Sequence, residues 1–230
     1  MNERIITALP VADLRSSATP RLVDRLRTDI VEGFWRPDGR LKTRDLAAHY
    51  GVSTAPVREA LQQLQGEGFV VLEVNRGARV RPIDEQLLID IYDVREALES
   101  FLTAKFTAAV SPHQLSTLRA IQAEHDEVTD RGDGLGAAML NRRFHQFIND
   151  SARNQEASEV INRRHALTRA LLMEIGFSPT RMRAVQQEHH ALIEAMSRGD
   201  EVAARRISAL HVRSSRDDLV ERLRPLLKKT

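Results

Sequence analysis

The chain has 230 residues, 42% of them apolar and 29% charged, an ordinary globular balance with room for one large domain or two modest ones. It contains no cysteine, which excludes disulfides, thiolate zinc fingers and Cys nucleophiles and points to an intracellular, cytoplasmic protein. No apolar run approaches the ~20 residues of a membrane span, and no charged start followed by an apolar stretch marks a signal peptide.

The formal net charge is +2, but it is unevenly spread. Residues 1–81 hold 13 Lys/Arg against 10 Asp/Glu, and residues 82–230 hold 21 against 22. One histidine, His49, precedes that boundary and seven follow it. Two parts with different chemistry suggest two jobs. Aromatics are only 4% of the chain, so Leu, Ile, Val and Ala must build the core, which favours helices.

In chain order, residues 1–19 lack periodicity and are expected to form a flexible arm. Leu22, Leu26 and Ile30 are spaced by four, predicting a helix over about 20–33 that Gly33 ends. Trp35-Arg36-Pro37-Asp38-Gly39 reads as a turn. Thr43 is placed to cap a short helix running to Tyr50, after which Gly51 supplies a tight turn. Ser53 caps a helix over about 54–67, with Pro56 in the first turn, where a missing N–H costs nothing. Two β-rich runs, 69–74 and 78–81, flank Asn75-Arg76-Gly77 as a hairpin. The expected fold class is mainly α: a winged helix-turn-helix over 20–81, then an all-α antiparallel bundle. Breaks at Ser111-Pro112, 131–134, Arg153-Asn154, Ser178-Pro179 and 198–200 divide the bundle into about six helices.

In a helix-turn-helix the N-terminal residues of the second helix enter the major groove. Here these are Ser53, Thr54 and Ala55 and, one turn on, Arg58, which can pair with guanine O6 and N7. Arg44 would lie beside the backbone or groove edge, and Asn75, Arg76 and Gly77 form the wing tip. The same fold also serves protein contact, in which case Arg58 is an ordinary solvated residue. Val57-Arg58-Glu59-Ala60-Leu61, preceded by Gly51-Val52-Ser53 and Pro56 and followed by Leu64, Gly68 and the Asn75-Arg76-Gly77 wing, resembles the recognition helix and wing of GntR-type transcriptional regulators. The resemblance departs at three positions. Thr54 stands where the family has Arg, Ala55 where it has Thr, and Asp38 where it has Gly. Without that Arg, a standard family operator is not implied.

In the second part, Leu88, Ile91, Tyr92, Leu98 and Leu102 form an apolar stripe, and Arg95 falls inside it. A buried guanidinium needs a carboxylate, either Glu99 one turn on or a ligand. Asn141 and His145 share one helix face at i, i+4. His189 continues the stripe of Val185, Leu192, Ile193 and Met196, and His211 that of Ile207 and Ser214; His190 is turned outward. Three inward histidines on three helices suit a metal, or are three unrelated core residues.

Residues 84–222 resemble the FadR-type effector domain (FCD type) of GntR regulators through Val94-Arg95 with Leu98-Glu99, Phe144-His145 with Ile148 and Asn154, and Glu188-His189 with Ile193, Ala195 and Gly199-Asp200. Six helices point to the VanR-like branch. The resemblance implies a divalent metal on His145, His189 and His211 with an acidic residue at position 141, where this chain has Asn141. Zn2+ is the first expectation, with Ni2+, Fe2+ or Mn2+ as alternatives, since a neutral amide oxygen is a weaker ligand. It also implies a small organic acid as effector, with Arg95 on its carboxylate, and effector binding and dimerisation by this domain.

The leading reading is thus a homodimeric regulator, repressing rather than activating, that binds a palindromic double-stranded operator and is not an enzyme. A metal-dependent hydrolase and a DNA-binding protein with a purely structural metal are the competing readings.

Overall fold

The computed structural model describes residues 18–31, 33–73 and 77–227. The chain divides at Arg81–Pro82 into two compact units.

The first unit contains α1 (Ala18–Val31), β1 (Arg40–Leu41), α2 (Thr43–Tyr50), α3 (Thr54–Glu67), β2 (Val70–Glu73) and β3 (Gly77–Val80). Its core is aliphatic. Leu22, Val23, Leu26 and Ile30 of α1, Leu46 of α2, Val57, Ala60, Leu61 and Leu64 of α3, and Phe69, Val70, Ala78 and Val80 are all buried, with α3 packed against both α1 and α2. Arg27 ties α1 to α3 through two 2.9 Å bonds to Glu67. The single Trp is used at the turn after α1: Trp35 Nε1 donates to the Tyr50 hydroxyl at 2.8 Å, which donates to Asp29 at 2.6 Å.

Three local expectations need correction. The helix expected from 20 begins at Ala18, so the last two positions of the expected arm are helical; residues 1–17 lie outside the described residues. The cap of α2 is Lys42, not Thr43, because Arg40 and Leu41 form a strand and hold Lys42 extended. That strand turns the expected hairpin into a three-stranded antiparallel sheet of order β1-β3-β2, with Arg40 opposite Arg79 and Leu41 opposite Ala78. Two residues are too few to show a period-2 signal.

The turn before β1 explains one departure from the family pattern. Asp38 adopts a left-handed φ of 58°, a conformation glycine enters freely and Asp more readily than most residues. Gly77 is required where it stands. Its φ is +89°, and an added Cβ would lie 2.5 Å from the Leu41 carbonyl oxygen on the neighbouring strand.

The second unit is α4 (Glu85–Thr107), α5 (Pro112–Asp130), α6 (Gly134–Ser151), α7 (Gln155–Ile175), α8 (Pro179–Ser197) and α9 (Glu201–Leu227). Its helices start where the sequence supplies an acceptor for a free N–H: Asp84, Ser111, Asp133, Asn154 and Ser178 each accept from a backbone amide of the first turn. Ser111 and Gln114 complete a capping box. The long helices α4 and α9 run antiparallel, since Glu85, Asp93, Glu96 and Thr103 meet Arg224, Arg216, Arg213 and Ser208 in reverse order. Leu102, Phe106, Leu118, Ile121, Phe144, Ile148 and Leu192 form the core at one level of this bundle.

Candidate DNA-reading helix and histidine site

The N-terminus of α3 presents Ser53, Ala55 and Arg58 exposed and Thr54 half-buried, while Val57, Ala60 and Leu61 of the same helix are buried. Pro56 and the left-handed Gly51 hold α3 at its turn from α2. Ser53 occupies the cap position without bonding its hydroxyl to the helix. A helix N-terminus with uncapped N–H groups and a free hydroxyl is suited to a phosphate. Arg44 is exposed on α2. Asn75 and Arg76 lie outside the described residues; Gly77 begins β3.

In the bundle, α6, α8 and α9 bring His145, His189 and His211 together. One ring nitrogen of each lies within 4.8 Å of the others. The Nε2 atoms of His145 and His211 are 2.9 Å apart, and those of His189 and His145 are 3.2 Å apart. The residues are respectively 5%, 0% and 1% exposed. His190, one position from His189, is exposed and pairs with Asp126 at 2.9 Å.

Neighbouring groups set the tautomers. Glu188 accepts from His211 Nδ1 at 2.7 Å, and Gln122 Oε1 accepts from His189 Nδ1 at 2.7 Å while its amide donates to Asp126 at 2.6 Å. Both rings therefore carry hydrogen on Nδ1 and turn the Nε2 lone pair inward. Arg181, buried, forks onto Glu188 at 2.9 and 2.8 Å and also donates to the His211 carbonyl and to Ser215. Its approach to His211 Nδ1 at 3.1 Å is longer than the Glu188 contact and opposes two donors, so the carboxylate sets the ring. Phe144 stacks on His189 with centroids 4.0 Å apart. Burial, then the neighbouring histidines and Arg181, holds His189 and His211 well below the ordinary 6.5; neutral imidazoles are the form that ligates a cation.

Asn141 lies one turn before His145, 8% exposed, and its Oδ1 is buried with no hydrogen-bond partner. A buried orphan acceptor is costly unless something positive meets it. Beside it opens a cavity of about 60 Å³ lined by Arg95, Asn141, Arg142, His145, Asn149 and Thr168, among others. Arg95 donates to Glu99 at 2.8 Å and lies 4.3 Å above the Tyr92 ring. The internal ion pair is therefore present, and the same guanidinium also borders the cavity.

Gln122, His125, Arg181 and Glu188 were not anticipated as site residues. Glu188 was visible only as a neighbour of His189. Leu118, Ile121, Gln122 and His125 share a helical face, the signal that could have brought α5 to the site.

Comparison with known proteins agrees with both units. Residues 18–80 match the family model of bacterial regulatory proteins of the gntR family, and residues 90–214 match the FCD domain. The chain is 33% identical over 133 residues to the HTH-type transcriptional repressor GlaR of Escherichia coli, spanning 54% of this chain and 58% of that protein. It is 27% identical over 194 residues to the Nta operon transcriptional regulator of Aminobacter aminovorans, spanning 84% of this chain and 90% of that one. The fold of E. coli McbR/YncC superposes with a TM-score of 0.69 at 22% identity, covering 89% of this chain and 97% of that chain. This chain belongs to the GntR family of bacterial regulatory proteins, a DNA-binding transcriptional regulator in which an FCD domain follows the winged helix-turn-helix.

Proposed function

We propose that this protein is an effector-responsive repressor that binds a palindromic operator as a homodimer and senses a small organic acid at a divalent-metal site in the FCD unit. Ser53, Thr54, Ala55 and Arg58 would enter the major groove, Arg44 would lie at its edge, and the wing of Asn75, Arg76 and Gly77 would reach the neighbouring groove. Thr54 and Ala55 offer less to a guanine than an arginine does, so Arg58 carries most of the base reading. Operator binding places this work in the cytoplasm.

The observation that carries the sensing reading is the convergence of three buried imidazoles, with His145 lining a cavity that Arg95 and Asn141, whose Oδ1 has no hydrogen-bond partner, also line. His145, His189, His211 and Asn141 would hold the cation, Zn2+ first among candidates, which would supply a Lewis-acidic partner for the effector's oxygens. The protein's own part is to hold the imidazoles through Glu188 and Gln122 and to aim Arg95 at a carboxylate. An effector bound there shifts the population of dimer geometries and hence operator affinity. The cavity is what favours a sensor over a structural staple, because a staple needs no adjoining space.

The test is elemental analysis of purified protein with operator gel shifts. Up to one divalent ion per chain is expected, lost in His145→Ala, His189→Ala or His211→Ala and kept in His190→Ala. Equal metal content in all four variants overturns the site.

A further inference from the structure

Five helices of the bundle begin on a side chain that accepts from a backbone amide, whereas α2 begins on Lys42, whose ammonium can only donate. The backbone does not require a lysine there. Lys42 has the extended φ and ψ of an ordinary cap, -83° and 130°, and Asp45 stands three residues on, where a capping box after Ser or Thr places its acid. The lysine also sets a positive charge at the positive end of the helix dipole. Its ion pair with Asp45 is long, at 3.9 Å, and open to water, the side chains being 61% and 64% exposed; pairs of this kind contribute little. A residue that works against its own helix calls for a reason outside the fold.

The place of Lys42 in the winged unit supplies that reason. Strand β1 brings it to the base of the wing, its Cα 3.5 Å from where a Cβ on Gly77 would stand. Two residues on, Arg44 is exposed in the first turn of α2. Building on the docking of α3 and the wing proposed above, we infer that Lys42 is a phosphate clamp. It holds the stretch of DNA backbone that runs between the major groove read by α3 and the groove reached by the wing. An ammonium on a four-carbon stem is a mobile point charge, which follows a phosphate and carries no base preference. The contact fixes the register in which Ser53, Thr54, Ala55 and Arg58 meet the base edges. At position 42 helix stability and operator affinity are therefore opposed: the residue that would cap α2 best is one that cannot hold a phosphate by charge.

The experiment uses full-length protein and a labelled duplex that the wild type has selected from a random pool. Anisotropy titrations over a series of KCl concentrations give the affinity and its salt slope. Melting of the winged unit is read from the fluorescence of Trp35, the single Trp of the chain. Lys42→Ser should weaken binding and lower the slope of log affinity against log salt by about 0.9 for each chain bound. It should at the same time raise the melting temperature by about 4–8 °C, because serine caps α2. Lys42→Gln should lose the same slope with a smaller rise in melting temperature, and Lys42→Arg should keep the wild-type slope. None of the three should change which bases are preferred. A wild-type slope in Lys42→Ser and Lys42→Gln, while Arg58→Ala binds more weakly, overturns the clamp and leaves the docking standing. A slope lost equally in Lys42→Arg also overturns the clamp, since the charge is then not what acts. Unchanged binding in Arg58→Ala as well as in the Lys42 variants overturns the docking and the clamp with it.

Discussion

Glu188 shows what a residue one contact away from a ligand can do. It accepts from His211 Nδ1 at 2.7 Å and is held by Arg181 at 2.8 Å, so it orients the ring through the nitrogen opposite the converging Nε2. Partners of this kind are worth roughly 10–100-fold in metal affinity. Glu188→Gln should weaken Co2+ by about that factor while keeping three-nitrogen ligation in the spectrum; an unchanged affinity would remove Glu188 as a positioning residue. His125 acts on stability instead. Burial pushes it down to about 4 from the ordinary 6.5, and its Nε2 has no partner. The unfolded chain takes the proton first, so stability is complete above about pH 6.5 and declines as pH falls toward 4, by up to about 3 kcal/mol. His189 and His211 are shifted in the same direction. The metal-free protein should therefore melt earlier in acid, and His125→Gln should flatten the slope of Tm against pH without abolishing it.

Among the elements, the sheet and the reading helix invite opposite tests. Gly77 lies at the start of β3 with φ +89° and with β1 against its Cα. Gly77→Ala would force a disfavoured backbone and a backbone clash together, and should cost the winged unit about 2–4 kcal/mol, read as earlier melting. Arg58, in contrast, is exposed on α3 and its removal leaves the core untouched. Arg58→Ala should weaken operator binding by about 1–3 kcal/mol and relax one base position, with Tm unchanged. Gel shifts at fixed salt across single-base operator variants measure both effects.

At the level of the whole molecule, the division at Arg81–Pro82 gives two units with separate cores. Ligation stabilises only the unit that contains the ligands, by about 2.7 kcal/mol at a hundredfold excess over Kd. Zn2+ should therefore raise hydrogen-exchange protection in α5, α6, α8 and α9 and leave residues 18–81 unchanged in the absence of DNA. Protection rising in α3 instead would place the cation elsewhere.

Much of the architecture was legible because its signals are local. Caps at Ser111, Asp133, Asn154 and Ser178 stand in the sequence where the helices begin, and the inward faces of His145, His189 and His211 follow from 3.6-residue periodicity alone. The short strand β1 was not legible, because two residues carry no period and their pairing with β3 joins positions about forty residues apart. The same holds for the surroundings of the histidines. That Gln122 of α5 meets His189, that Arg181 and Glu188 lock His211, and that the Oδ1 of Asn141 has no hydrogen-bond partner are consequences of how six helices pack. A helical pattern determines which way a side chain points from its own axis. Which group it then meets depends on the rotation and height of the facing helix, and those are decided by the packed core as a whole.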